Sequence, residues 1–92
     1  MDVKWLNCEI GEGQFTGEYA VRGQLSDGTG FSLFAEKKDV DFSAAPTTNK
    51  PTKGVIRVLS VDSKDDLVLV MLPRPTFENG QTVTVKKSQI KP

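Results

Sequence analysis

The run Leu67-Val68-Leu69-Val70-Met71-Leu72 constrains this chain more than any other stretch. Six consecutive apolar residues leave an extended strand no polar face, so both of its sides are expected to be covered. The run is short for a helix, rich in Val and Leu, and bounded by Ser63-Lys64-Asp65-Asp66 and by Pro73. That combination predicts a buried central strand. Full burial is worth about 1.5–3 kcal/mol for each such side chain, which would make the run the largest local contributor to the core.

The rest of the chain alternates as half-buried strands do. In Val3–Ile10, Val3 and Trp5 share one face and Leu6, Cys8 and Ile10 the other. Apolar groups on both faces predict a strand that bridges two sheets or closes a barrel. The glycines of Gly11–Gly17 predict a loop. Glu18–Leu25 puts Tyr19, Val21 and Leu25 inward, with Gly23 on the same side to admit a bulge or a close neighbour. Ser26–Gly30 turns the chain into Phe31–Ala35, where Phe31, Leu33 and Ala35 point inward and Phe34 outward. Glu36–Asp41 offers at most a helical turn.

Residues 43–54, rich in Pro and Thr, predict a long mobile loop between two β-units of a single domain spanning 1–92. Val55–Val61 predicts a strand, and Asp62–Asp66 turns it back into the apolar run. Pro73-Arg74-Pro75 lacks two backbone donors and is expected to stop ladder pairing. Asn79-Gly80 between β-formers predicts a two-residue type I′ turn, with Val83 and Val85 inward on the returning strand. Ser88-Gln89-Ile90 is expected to close the barrel, with Ile90 as a plug. No internal repeat at a fixed period is visible. Six short strands and almost no helix predict an all-β antiparallel barrel or meander. The pattern resembles an SH3-like barrel, with another small β-barrel or an OB-like β-sandwich as the alternative, and a resemblance of pattern implies no function.

Residue types exclude most chemistry. The chain has no histidine and one cysteine, Cys8. Histidine-based nucleophilic catalysis and zinc sites built on Cys₄ or mixed Cys/His sets are therefore ruled out. Gly11, Gly13 and Gly17 miss the dinucleotide spacing, and Asp62, Asp65 and Asp66 lack that of a calcium loop. Asp39, Asp41 and Glu36 read as a solvated loop. A non-enzymatic protein without cofactor or metal is expected. The lone Cys8 has no partner for an internal disulfide, Met1–Trp5 does not resemble a signal peptide, and no apolar run approaches the ~20 residues of a membrane span. A cytoplasmic location without membrane contact is the resulting expectation.

The formal charge is zero, but residues 1–46 carry four basic against eight acidic groups and residues 47–92 eight against four. Interleaved halves in a small barrel would let these charges pair across strands. Two sets of surface residues stand out. Trp5, Phe15, Phe34 and Phe77 are candidate anchors for a partner. Arg74, Lys86, Lys87 and Lys91 are candidate phosphate contacts. The reading that follows is a protein-interaction module whose partner is another protein or a second copy, with weak nucleic-acid binding as the alternative.

Overall fold

Alternating side chains and glycine-marked turns produce seven antiparallel strands in one curled sheet, a half-barrel of meander type. The computed structural model describes residues 2–92. The strands are β1 (Asp2–Glu12), β2 (Glu18–Gln24), β3 (Gly30–Glu36), β4 (Val40–Phe42), β5 (Thr52–Lys64), β6 (Leu67–Thr76) and β7 (Gly80–Lys86). Two 3-10 turns, Lys37–Asp39 and Lys87–Gln89, follow β3 and β7. The sheet order is β3-β2-β1-β5-β6-β7, with β4 paired to β5. Among the described residues, no helix is long and apolar enough to cross a membrane.

Pair register shows the backbone to be duplicated, which overturns the expectation of no internal repeat. The first unit runs β1-β2-β3, 3-10 turn, β4; the second runs β5-β6-β7, 3-10 turn, Ile90. Their first strands meet at the centre with Leu6 opposite Ile56. Each unit's closing segment crosses to the other's first strand: Val40 lies opposite Ile56, and Ile90 opposite Leu6. The row Glu9–Arg22–Ser32 repeats as Leu59–Met71–Thr82. Lys37 N–H donates to the Gly17 carbonyl where Lys87 N–H donates to that of Asp66. The repeat was invisible because equivalent positions share a place in the sheet and little chemistry. Only Val21/Val70, Gly30/Gly80 and Lys37/Lys87 are identical across the paired elements.

One core fills the concave side. Leu6, Ile10, Val21, Ile56, Val70 and Val85 are each wholly buried there, joined by Phe31, Leu33, Val58 and Leu72. Cys8, Tyr19, Leu25, Phe42 and Ile90 pack around them, so the inward sets read from alternation hold, Ile90 included. Gly23 admits the Phe31 ring of its cross-strand partner, which would lie 2.4 Å from an added Cβ. The equivalent places in the second unit hold Leu72 and Gln81, whose side-chain amide donates to the Leu72 carbonyl. A glycine filled by a neighbour's ring and a leucine filling its own space are two solutions to one packing site.

The central expectation about the apolar run needs correction. Val68, Val70 and Leu72 are buried, but Leu69 and Met71 are only half-buried and Leu67 is 41 % exposed. A one-layer sheet has its core on the concave side, and Leu67, Leu69 and Met71 face away from it. Three further corrections are local. Thr76 pairs with Gly80, so Phe77, Glu78 and Asn79 form a three-residue connection in which Gly80, with φ 76°, takes the left-handed conformation. The Thr76 hydroxyl accepts Asn79 N–H at 2.8 Å and donates to the Gly80 carbonyl at 2.7 Å, and this favours the longer turn over type I′. The β5–β6 hairpin turns at Asp65-Asp66 with Asp65 at φ 55°, not over the whole of Asp62–Asp66. Its ladder absorbs a bulge at Val61. Finally, β5 begins at Thr52, inside the expected loop 43–54, and Thr47 pairs with Lys50 across a tight turn. The Pro73-Arg74-Pro75 expectation holds, since the β6–β7 register breaks between Met71 and Thr76.

Candidate functional site

Alternation fixes which side chains leave the core, and the duplication allows the two convex faces to be compared position by position. In the second unit, Val3 of β1, Leu59 of β5, Met71 of β6 and Thr82 of β7 form one row across four strands. Leu69 and Leu67 continue the apolar surface along β6, and Trp5 borders it opposite Arg57. Val3 is 47 % exposed, and Trp5, Leu59, Leu69 and Met71 are half-buried without joining the core cluster. In the first unit the same row reads Lys53, Glu9, Arg22, Ser32. Alternating charge there is an ordinary solvated sheet face. The fold therefore accepts polar residues at these places.

The four aromatic candidates do not gather. Phe34 and Phe77 meet edge to face, 5.5 Å between ring centroids, with Phe77 68 % exposed. They sit on the seam where the edge of β3 meets the β6–β7 turn. Phe77 N–H donates to the Ser32 carbonyl at 2.9 Å, and the Glu78 carboxylate accepts Ser32 N–H and hydroxyl at 2.8 and 2.7 Å. Those two bonds hold the Glu78 carboxyl below its usual range. Phe15, 72 % exposed, stands in the β1–β2 loop. Trp5 lies six residues along β1 from Gly11, the position in line with Phe34, or about 20 Å at the rise of a strand.

The basic set is divided as well. Arg74 belongs to the seam, 2.9 Å from Glu36 and 4.0 Å from Glu18. Lys86 ends β7 opposite Leu67, Lys87 opens the second 3-10 turn, and Lys91 N–H donates to the Trp5 carbonyl. The Lys86 end of β6 is about 20 Å along the strand from Arg74. The charge split of the sequence maps onto the two units, which lie side by side in the sheet order and exchange only their closing segments. It is therefore not erased by interleaving.

An open cleft of about 840 Å³ lies where β1 diverges from β2, with Cys8, Glu9, Arg22, Lys53 and Glu78 on its walls. Burial pushes the Cys8 thiol up to about 12, so at neutral pH it is a protonated, weakly polar filler and no nucleophile. Among the described residues, no group of three or more Cys, Asp or Glu side chains is placed to hold a metal ion.

No family model, no curated protein and no solved structure matches this chain. The residues missed from the sequence are Leu59, Leu67, Leu69 and Met71, which the apolar run and its neighbour strand had assigned to structure. Their signal was present as an excess. One concave core takes every second residue of a strand, and the run supplies twice that number.

Proposed function

We propose that this chain is a non-enzymatic protein-interaction module that docks its partner on the convex face of β1, β5 and β6. One observation carries the reading: Leu59 and Met71 occupy places where the other unit holds Glu9 and Arg22, and Val3 extends their row where Lys53 extends the other. Half-exposed apolar residues contiguous across three strands are the composition of an interface core. Their structural twins hold charged residues on the same backbone register. The SH3-like description of the barrel belongs to this proposal; its support is the curled antiparallel meander closed by a 3-10 turn, and it names no partner. A reducing, cytoplasmic setting is proposed on the lone Cys8.

The test uses the internal control. A photo-crosslinking residue is placed at Leu69 or at its equivalent Ala20, and the full chain is irradiated in its native host. Protein adducts formed from position 69 and not from position 20 support the reading. Equal adducts from both positions, or none from 69, overturn it.

A further inference from the structure

We infer that the occupant of this face is a second copy of the chain, stacked sheet on sheet about a two-fold axis along the row Val3–Leu59–Met71. The inference rests on the reading of the face as a docking surface and adds what docks there. In an isologous contact, residues on the axis meet themselves and residues to either side meet each other. The row suits the axis, since it is straight across three strands and wholly apolar.

The flanking charges select the arrangement. One step from Leu59 along the convex side of β5 lies Arg57; one step the other way, past the bulge at Val61, lies Asp62 opposite Leu69. Rotation about the row brings Arg57 of each copy over Asp62 of the other, so the surface is complementary to itself at two symmetric places. Neither residue has an ion-pair partner among the described residues. The equivalent positions of the first unit are Asn7 and, opposite Ala20, Gly11, which hold no such pair. A different partner would call for no charge of opposite sign at equal distances from the row. Stacked sheets lie about 10 Å apart with their strands within about 30° of each other, a spacing that apolar side chains of this size fill. The zero formal charge of the chain adds no net repulsion between copies.

Sedimentation velocity of the full chain, from micromolar to millimolar concentration, tests this. The wild type is expected to pass from monomer to dimer, and Leu59→Glu/Met71→Glu to remain monomeric with an unchanged circular dichroism spectrum. Arg57→Asp and Asp62→Arg, both at exposed positions that leave the core untouched, should each weaken the dimer by about tenfold, and the double variant should restore it. A wild type that stays monomeric at every concentration overturns the second copy and leaves the docking face to the crosslinking test. A dimer that survives Leu59→Glu/Met71→Glu overturns the face itself. A double charge reversal no tighter than either single one overturns the two-fold geometry.

Discussion

Leu59 and Met71 hold in the second unit the places that Glu9 and Arg22 hold in the first, on a backbone whose pair register is the same. The centres of the two concave sides agree: Leu6 matches Ile56, Leu33 matches Val83 and Val21 matches Val70, all buried and apolar, while Ile10 and Phe31 are matched by Ser60 and Gln81. The convex sides do not. Agreement inside and divergence outside separate what the fold demands from what it tolerates. The comparison also dissolves an apparent contradiction in the sequence, where an apolar run long enough to imply two covered sides occurs in a sheet with one. Half of that run serves the core, and half faces away from it.

The largest expected effect probes the agreement. Leu6→Ala and Ile56→Ala, at the two central positions that face each other, should each cost about 2–5 kcal/mol in urea unfolding and cost nearly the same. Losses differing by more than about 2 kcal/mol would show that one unit alone carries the core. Next comes the site where the units solve packing differently. Gly23→Leu places a side chain in the space of the Phe31 ring and should destabilise by about 1–3 kcal/mol, whereas Gly23→Leu with Phe31→Gln copies the Leu72/Gln81 solution and should recover part of the loss. A double variant no more stable than the single one would break the equivalence.

The divergence can be transplanted. Glu9→Leu with Arg22→Met gives the first unit the second unit's convex row, and is expected to leave unfolding within about 1 kcal/mol of wild type while adding a second association site. Light scattering should then find species larger than the wild type forms; an unchanged mass would show that the row alone does not make a face adhesive. The smallest effect concerns the seam. Because the folded carboxyl of Glu78 is held below its unfolded value by Ser32, its contribution is complete above the ordinary carboxylate range and disappears as pH falls through the lowered value. The urea midpoints of wild type and Glu78→Gln should therefore differ most near pH 7 and converge as pH falls below the ordinary carboxylate range. A gap constant with pH would show that the two Ser32 bonds do not depend on the carboxylate charge.

Much of this architecture was legible in single residues. Tyr19, Val21 and Leu25 alternate against Glu18, Arg22 and Gln24, and a half-buried strand needs no more than that. Gly23 announced a close neighbour, and the structure supplies the Phe31 ring. The Asn79-Gly80 pair misled because a side chain outside the dipeptide, the Thr76 hydroxyl, stabilises a turn one residue longer. The apolar convex row misled for a broader reason. Periodicity tells which residues share a side of a strand but not whether that side is covered.

Local spacing and residue type were enough to read the chain as all-β and to say which residues point inward on most strands. The fold in three dimensions adds that the backbone repeats one unit twice, that the closing segments are exchanged, and that half of the apolar run faces away from the core. Those facts depend on which strand lies beside which, and residues about fifty positions apart occupy the same place in the fold while almost never being identical.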